Sequence, residues 1–340
     1  MMRKLNVAIV GATGLVGETL LTVLNERQFP IDQLYPLASA RSVGKTVSFD
    51  RRPLDVEDVA SFNFSDADIA LFSAGSAVSE VYAPIAAAAG CVVIDNTSYF
   101  RYDHDIPLVI PEVNPQRVAD YTHRGIIANP NCSTIQMLVA LKPLHDAVGI
   151  ARINVATYQA VSGTGRKAIS ELVSQVGELM NGRPVKPSVY PHQIAFNVFP
   201  HIDDFQDNGY TREEMKMIWE TQKILEDDSV LVNPTTVRVP VLYGHSEAIH
   251  VEFRSPLSAA AARALLVKAP GVCVVDDPKK GKYPTALSHA VGHDDVFVGR
   301  IRQDVSHPCG LDLWVVADNV RKGAATNAVQ IAEILQREYL

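Results

Sequence analysis

The chain has 340 residues, of which 47% are hydrophobic and 20% are charged, and its formal net charge is −7. This composition is typical of a folded globular protein and excludes a disordered chain, a collagen and a disulfide-stapled scaffold. At about 150 residues per domain, the length predicts two domains. The acidic balance argues against a nucleic-acid partner bound over a broad basic face, although a local basic pocket is compatible with it.

Membrane and secretion signals are weak in this sequence. The longest apolar stretch, residues 81–94, contains a proline and a glycine and falls short of the ~18 residues of a membrane span. The N-terminus does not show the long apolar region and cleavage site of a secretory signal. The four cysteines are scattered without CxxC spacing, which fits a reducing compartment. We therefore expect a cytoplasmic protein that does not bind membranes.

Strand-like and helical segments alternate over the first 130 residues. The predicted strands are 5–10, 34–38, 67–72 and 91–94, and the predicted helices are 15–26 and 76–89. Strands that are apolar throughout and separated by helices indicate a parallel sheet covered on both faces. This is the doubly wound, Rossmann-type architecture that binds nucleotides.

The pattern changes after Asn131. The predicted helices are 133–145, 166–180, 211–226 and 324–335, and the predicted strands are 150–159, 235–242, 248–253, 296–301 and 311–316. Several of these strands alternate polar and apolar residues, which favours a largely antiparallel sheet with one exposed or partner-facing side. The fold class is therefore α/β, with a Rossmann-type parallel sheet plus an α+β domain that has a mixed sheet.

A glycine-rich turn joins the first predicted strand to the first predicted helix. Backbone N–H groups at such a helix start can bind a pyrophosphate, and glycines allow its close approach. The spacing is GxxGxxG, and no GKS or GKT follows, so the turn is not a P-loop. The alternative is a tight turn without a ligand. The residues expected to contact a dinucleotide are Gly11, Thr13, Gly14, Leu15, Val16 and Gly17.

The end of the second predicted strand bears on the choice between NAD and NADP. NAD is usually held there by an acidic residue that accepts hydrogen bonds from the ribose. Ser39, Arg41 and Ser42 offer instead a cation and hydroxyl groups, which match a 2′-phosphate. The sequence therefore predicts NADP, the alternative being a solvated loop with one charge.

Cys132 lies where a loop gives way to a predicted helix. A thiol at a helix N-terminus has a lowered pKa and a larger thiolate fraction. Cys91 and Cys273 lie in apolar strand runs instead and are expected to be small buried side chains. Position alone leaves open whether Cys132 is a nucleophile or a packing residue.

Residues further along the chain carry a weaker signal. Glu213 and Lys216 share one helical face, and alone they fit an exposed ion pair. Arg238 and His245 are seven residues apart, which in a regular strand places them on opposite faces. His289 and His293 are four apart but have no HExxH motif or zinc-ligand set around them, so no metal is expected.

Together these segments resemble the aspartate-semialdehyde dehydrogenase family over essentially the whole chain. The resemblance is carried by many separate motifs in the same order. They are VGATG at 10–14, ASARS at 38–42, NCS at 131–133, YQAVSG at 158–163, EEMK at 213–216, RVPV at 238–241, GHS at 244–246, DN at 318–319 and KGAA at 322–325.

The resemblance implies a reaction and a role for each matching residue. L-aspartyl 4-phosphate is reduced with NADPH to L-aspartate 4-semialdehyde and phosphate, a step towards lysine, diaminopimelate, methionine and threonine. A cysteine thiolate forms the acyl thioester, and a histidine with a pKa suited to neutral pH exchanges the proton. The roles so implied are Cys132 as nucleophile, His245 as general acid/base, Gln159 as the residue that positions the substrate, Arg238 and Glu213 as its carboxylate and ammonium partners, Arg101, Asn131 and Lys216 as the phosphate site, and Ser162, Gly163 and Asn319 as nicotinamide contacts.

The same resemblance implies the division of the chain and its assembly. Residues 1–131 plus 321–340 are expected to form the NADP-binding domain, and 132–320 the catalytic and dimerisation domain. A homodimer, or a tetramer built from dimers, is expected. Two alternatives remain: an enzyme similar to N-acetyl-glutamyl-phosphate reductase, and a non-catalytic nucleotide-binding paralogue.

Overall fold

The computed structural model describes residues 3–340, and the chain divides into two compact units. Unit 1 comprises the chain through Asn131 together with Gly323–Leu340, and unit 2 comprises Cys132–Lys322. The strands are β1 (Leu5–Val10), β2 (Ile31–Ala38), β3 (Thr46–Phe49), β4 (Arg52–Asp55), β5 (Glu57–Asp58), β6 (Ile69–Phe72), β7 (Val92–Asp95), β8 (Ile126–Ala128), β9 (Ile150–Gln159), β10 (Leu231–Arg238), β11 (His245–Phe253), β12 (Val272–Val274), β13 (Val296–Gln303) and β14 (Gly310–Ala317). The helices are α1 (Leu15–Glu26), α2 (Ser76–Ala88), α3 (Cys132–Val148), α4 (Arg166–Met180), α5 (Arg212–Leu225), α6 (Ala259–Leu266) and α7 (Thr326–Glu338).

Unit 1 is built on a six-stranded sheet in the order β5-β2-β1-β6-β7-β8. Every pair of neighbouring strands is parallel, which confirms the Rossmann-type prediction. Val10 pairs with Leu37 on one side and with Phe72 on the other, so the carboxyl ends of β2, β1 and β6 lie side by side. In open α/β sheets, ligands bind outside this edge where the strand order reverses.

Helices α1 and α7 pack against each other and close part of the core of unit 1. Leu20 and Leu24 of α1 and Ile331 of α7 are fully buried with the apolar residues of the sheet. An exposed ion pair between Arg27 and Glu333 joins the two helices at 2.7 Å. The last helix of the chain therefore completes the first unit.

Unit 2 contains a second six-stranded sheet in the order β10-β9-β11-β14-β13-β12. The β10–β9 and β12–β13 pairs are parallel, and the three pairs between them are antiparallel, which confirms the mixed, largely antiparallel prediction. Because β11 runs against its neighbours, its first residue lies at the edge where β9 and β10 end. Helix α3 packs across β9, β11 and β14.

The boundaries of several elements differ from the predicted ones. The strand predicted at 235–242 begins at Leu231 and ends at Arg238, because Pro240 and Gly244 belong to the turn that leads into β11. Helix α3 continues to Val148 through Pro143. The final helix begins at Thr326 after one π-helical turn and reaches Glu338. The short elements β3, β4, β5, β8 and α6 were not predicted, whereas β12 confirms the strand expected around Cys273. In residues 3–340, no helix is long and apolar enough to cross a membrane.

Candidate active site

The glycine-rich turn of unit 1 can exist only with glycine at two of its positions. Gly11 has φ +94°, and a Cβ there would lie 2.9 Å from the backbone nitrogen of Ala74 in the loop after β6. A Cβ on Gly17 would overlap the carbonyl oxygen of Gly11. The first glycine thus permits the close approach of two loops, and the last lets α1 pack on the turn.

Two helices of unit 1 begin at this edge of the sheet. Helix α1 follows Gly14 and α2 follows Gly75, and neither N-cap residue supplies a side-chain cap. The first N–H groups of a helix have no partner inside the helix, and the helix dipole favours an anion there. The turn therefore has the features of a pyrophosphate site, with Thr13, Leu15 and Val16 of the prediction lying within it.

The predicted 2′-phosphate residues follow β2 directly. Ser39 and Arg41 are exposed, and residues 40–42 form one 3-10 turn. A carboxylate does come near this strand end, because β5 pairs Asp58 with Ala38. One oxygen of Asp58 accepts a hydrogen bond from the backbone of Ala60 at 3.1 Å. The sequence alone did not indicate this carboxylate, since β5 is only two residues long.

Arg101 is held by a buried loop at the end of β7. Asp95 accepts hydrogen bonds from Ser79 and from the hydroxyl of Thr97, each at 2.8 Å, and burial raises the pKa of its carboxyl. Arg101 donates to the carbonyl of Asn96 at 2.8 Å and is itself buried. Asn131, the last residue before unit 2, is buried as well.

Cys132 is the first residue of α3, as predicted, and its side chain is partly exposed. Cys91 is buried as expected, whereas Cys273 and Cys309 are partly exposed like Cys132, so the expectation of a buried Cys273 is wrong. Burial, with a smaller effect of Asp68, raises the pKa of Cys91 to about 12, and burial also raises the pKa of Cys273. The thiol at the helix start therefore has the more favourable environment for forming a thiolate.

Three predicted residues of unit 2 meet at one edge of its sheet. Gln159 ends β9, Arg238 ends β10 and His245 begins β11, and all three are buried. A Cβ on Gly163 would lie 3.2 Å from Nη1 of Arg238 and 3.4 Å from Nε2 of His245. The seven-residue spacing was misleading because the two residues belong to different strands.

A chain of buried hydrogen bonds fixes the amide of Gln159. The hydroxyl of Thr157 donates to its Oε1 at 3.2 Å, and its Nε2 donates to Glu213 at 3.1 Å. Lys216 donates to the other oxygen of Glu213 at 3.0 Å and to Asp203 at 2.7 Å. Glu213 is only 5% exposed, so the interpretation of Glu213 and Lys216 as an exposed helix pair is wrong.

The imidazole of His245 is oriented by the backbone. Its Nδ1 accepts the N–H of Ala160 at 3.0 Å, so a neutral ring carries its proton on Nε2. Nε2 has no hydrogen-bond partner within residues 3–340. Burial first, and the charge of Arg238 second, lower the pKa of His245 to about 3. The expectation of a pKa suited to neutral pH is therefore wrong for this conformation.

The guanidinium of Arg238 is held on one side only. Its Nη1 donates to the carbonyl of Ala160 at 2.6 Å, whereas Nε has no partner in the described part of the chain. The ring of Tyr190 lies below the guanidinium, 5.8 Å from it. A buried cation with unused donors is suited to a carboxylate.

Ser162 and Asn319 bind each other. Asn319 donates to the hydroxyl of Ser162 at 3.0 Å, and its Oδ1 accepts the N–H of Gly244 at 3.0 Å. These bonds fix the turn after β9 against the turn before β11.

Some residues of this region were missed from the sequence. Tyr190 and Asp203 lie in loops that no periodicity predicts, and Thr157 is marked only by its position two residues before Gln159 on the same strand face. Among residues 3–340, no group of His, Cys, Asp or Glu is arranged to hold a metal. His289 and His293 pack their rings on Phe297 instead.

Comparison with known proteins identifies both units. The semialdehyde dehydrogenase NAD binding domain model matches residues 6–121, and the semialdehyde dehydrogenase dimerisation domain model matches residues 141–322. Aspartate-semialdehyde dehydrogenase from Legionella pneumophila is 74% identical over 340 residues, covering 100% of this chain and 98% of the relative. Aspartate-semialdehyde dehydrogenase 2 from Vibrio cholerae is 60% identical over 339 residues, covering all of both chains.

Solved structures agree. The Vibrio cholerae aspartate semialdehyde dehydrogenase II, described as complexed with ASA, has a TM-score of 0.98 at 59% identity and covers 99% of this chain and 100% of its own. The Candida albicans enzyme, described with NADP, has a TM-score of 0.76 at 26% identity, covering 98% and 99% of the two chains. The chain is therefore an oxidoreductase that belongs to the aspartate-semialdehyde dehydrogenase family.

Proposed function

We propose that the chain is an NADP-dependent, phosphorylating dehydrogenase that converts L-aspartyl 4-phosphate into L-aspartate 4-semialdehyde through a thioester on Cys132. The observation that carries the proposal is the meeting of Gln159, Arg238 and His245 at one edge of the unit 2 sheet. Relatives named aspartate-semialdehyde dehydrogenase across the full chain support the substrate.

Cys132 is the nucleophile of this proposal. Its position at the start of α3 favours the thiolate. The sulfur attacks the C4 carbonyl carbon of aspartyl phosphate, so a carbon–sulfur bond forms. The carbon–oxygen bond to phosphate then breaks, and phosphate leaves with the bonding electrons. After reduction of the acyl group, the carbon–sulfur bond breaks and the thiolate is restored.

Unit 1 is the proposed NADP-binding domain, and its residues fit a dinucleotide. Gly11, Gly14 and Gly17 let the turn pack closely before an uncapped helix start, where backbone N–H groups can bind the pyrophosphate. Arg41, with Ser39 and Ser42, is assigned to the 2′-phosphate, which favours NADP over NAD. When bound, the nicotinamide supplies the two-electron reduction. The solved Candida albicans structure described with NADP supports this assignment.

His245 holds a proton at Nε2, because Nδ1 already accepts the backbone N–H of Ala160. A neutral Nε2–H donates a hydrogen bond to the substrate carbonyl oxygen as that oxygen gains negative charge. When Cys132 adds to the aldehyde in the oxidative direction, the same N–H holds the new oxyanion. The depressed pKa keeps the ring neutral, so it works as a donor from its resting state.

Arg238 and Glu213 are the proposed clamp on the amino-acid end of the substrate. Arg238 keeps Nε for the α-carboxylate while Nη1 is anchored on Ala160. Glu213 accepts the substrate ammonium beside the amide of Gln159, which positions the reacting carbonyl. Both charges are already buried, so their desolvation precedes binding and less reorganisation remains.

Phosphate is assigned to Arg101, Asn131 and Lys216, and nicotinamide contacts to Ser162, Gly163 and Asn319. Lys216 now bridges Asp203 and Glu213. A phosphate that binds Lys216 therefore competes with the carboxylate of Asp203.

The proposed place of the enzyme is the cytoplasmic biosynthesis of lysine, diaminopimelate, methionine and threonine. Unit 2 is the proposed catalytic and dimerisation domain of a homodimer, or of a tetramer of such dimers. The matching dimerisation-domain model supports this assembly. So do Tyr158 and Trp314, whose rings lie 5.6 Å apart on one face of the unit 2 sheet, with Tyr158 exposed.

A comparison of two aldehydes tests the proposal against its nearest rival. N-acetyl-glutamate semialdehyde has no free ammonium group and so has no need of Glu213. We expect strong preference for aspartate semialdehyde, and we expect Glu213→Gln to lower kcat/KM for that substrate selectively. Equal or reversed preference would favour the N-acetyl-glutamyl-phosphate reductase alternative. Oxidation of neither aldehyde would favour the non-catalytic paralogue.

A further inference from the structure

A buried carboxyl group lies next to His245 on the same face of the unit 2 sheet. Glu247 is two residues further along β11 and therefore on the same face of the sheet. Its side chain is fully buried, with Thr157 of β9 and Val315 of β14 as its paired neighbours. Neither carboxyl oxygen has a partner of ordinary hydrogen-bond length and angle in residues 3–340, but the amide of Gln136 lies close enough to affect the pKa of the carboxyl. Burial raises the pKa of Glu247 well above its usual range.

A buried amide likewise follows Cys132 on helix α3. Gln136 is four residues further along α3, one turn away on the same helix face. It is fully buried, and the carboxyl of Glu247 faces it. Both polar atoms of this amide also lack a partner within the described chain. Helix α3 therefore carries both Cys132 and the buried Gln136, and strand β11 carries both His245 and the buried Glu247.

Donor and acceptor counts decide which form of Glu247 fits Gln136. An ionised carboxylate offers only acceptors, so it leaves Oε1 of Gln136 without a donor and buries a charge. A neutral carboxylic acid offers one donor and one acceptor. The edge of a primary amide offers the same two groups in the complementary order, so the acid and the amide can form two parallel hydrogen bonds.

We propose that Glu247, as a neutral acid, pairs with Gln136 and that this pair is a positioning device for the reaction. It joins α3, which begins at Cys132, to β11, which begins at His245, and so sets the distance between thiol and imidazole. Neither residue touches the substrate in this account. The inference rests on the catalytic roles proposed above for Cys132 and His245.

The test compares variants that keep or remove the pairing in the intact enzyme. Glu247→Gln keeps a neutral donor and acceptor of the same shape, so kcat should stay within a few-fold of wild type. Glu247→Leu and Gln136→Leu leave one partner alone, so kcat should fall about tenfold or more through misplacement of the thiol. KM for NADP should change little in all three.

Asp276→Asn is the matched control, because it removes a buried carboxylate that does not belong to the proposed pair. Asp276 is bound to Arg263 and to the backbone of Arg300 beside β12, at the far edge of the same sheet. This variant should lose stability, measured by urea unfolding, but keep its kcat. A Glu247→Leu variant with wild-type kcat, or a Glu247→Gln variant as impaired as Glu247→Leu, would overturn the pairing.

Infrared spectroscopy decides the matter even where the leucine variants do not fold. The wild-type spectrum at neutral pH should contain the carbonyl stretch of a protonated carboxyl that Glu247→Gln lacks. A difference spectrum with a carboxylate band in its place overturns the proposal. Failure of the catalytic assignment would show separately, as a Cys132→Ala variant that still turns over.

Discussion

The two units encode their sites in different ways. In unit 1, the proposed cofactor turn is one uninterrupted segment, residues 11–17 between β1 and α1. In unit 2, Gln159, Arg238 and His245 are far apart in sequence and meet only because β9 and β10 end where β11 begins. A glycine-rich turn can therefore be found from local spacing, whereas the proposed catalytic edge, formed by Gln159, Arg238 and His245, depends on strand pairing and direction.

The two units also differ in how they hold the groups that are proposed to bind the cofactor and the substrate. The cofactor turn uses backbone N–H groups and the absence of Cβ atoms, with an exposed Arg41 nearby. The catalytic edge uses buried side chains bound to one another or to the carbonyl and N–H of Ala160. Variants at Gln159, Arg238 and His245 should thus affect turnover, and variants in the glycine-rich turn or at Arg41 should affect cofactor affinity.

The largest difference between the effect on turnover and the effect on cofactor binding is expected from Cys132→Ala. Turnover should be abolished because the carbon–sulfur bond cannot form, whereas NADP binding, measured by fluorescence titration, should stay near wild type. Cys91→Ala, Cys273→Ala and Cys309→Ala are the matched controls and should remain active. Retention of more than ~1% of activity by Cys132→Ala would exclude the covalent route, since loss of a nucleophile usually costs far more.

Arg238→Lys should give the next largest effect. The charge remains, but the planar pair of donors is lost, and lysine cannot hold a carboxylate in the same way. KM for aspartate semialdehyde should rise and kcat should fall, with kcat/KM down on the order of 100-fold through misplacement at the thiol. KM for phosphate should move little when the aldehyde is oxidised at saturating levels of the other substrates.

Lys216→Ala should show the reverse pattern in the same assay. The loss of a charged contact worth ~1.5 kcal/mol should raise KM for phosphate roughly tenfold. Asp203→Asn is an informative companion, because it removes the carboxylate that competes for Lys216 and should lower KM for phosphate. If Lys216→Ala and Arg238→Lys both shift the same KM, the two-site assignment fails.

Arg41→Ala changes a residue of unit 1 and should affect only the binding of the cofactor. A lost contact to the 2′-phosphate should weaken NADP about tenfold, at the lower end of charge-assisted bonds because Arg41 is exposed. NAD has no such phosphate and should bind equally well before and after the change. Equal loss for both cofactors would mean that Arg41 only supports the loop after β2.

The smallest expected effect concerns acid stability. Unfolded His245 takes up a proton near 6.5, but in the folded protein its pKa is about 3. Between these values the unfolded state binds more protons, so this residue lowers the free energy of unfolding as the pH falls. His245→Asn should therefore lose less stability than wild type between about pH 7 and pH 5, measured by urea unfolding. An identical loss would contradict the buried, neutral imidazole.

The sequence predicted the elements that have strong periodicity or a clear boundary. Helices α1 and α4 and strands β1 and β9 begin and end where predicted, because each has clear apolar patterning and a glycine directly beside one end. The short strands β5 and β8 carry too few residues for any pattern. Sequence spacing also misjudged Lys216 and Glu213, since their burial depends on the packing of α5 against β10.

The proposed catalytic residues could be chosen from the sequence only through resemblance to a family. Cys132 had a local signal, a helix start, but Arg238 and His245 had none that separated them from other charged residues. The pKa of His245 could not be predicted either, because it depends on burial and on an arginine from a different strand. The meeting of Arg238 with His245 and the pKa of His245 both depend on the pairing of strands that are far apart in sequence.

The most direct test of the account is the reduction of NADP by aspartate semialdehyde with and without inorganic phosphate. A thioester on Cys132 requires strict phosphate dependence, with aspartyl phosphate as the product, because phosphate must release the acyl group from the sulfur. The rate should be lost in Cys132→Ala whether phosphate is present or absent. NADP reduction at an equal rate without phosphate, or none with it, would contradict the central claim.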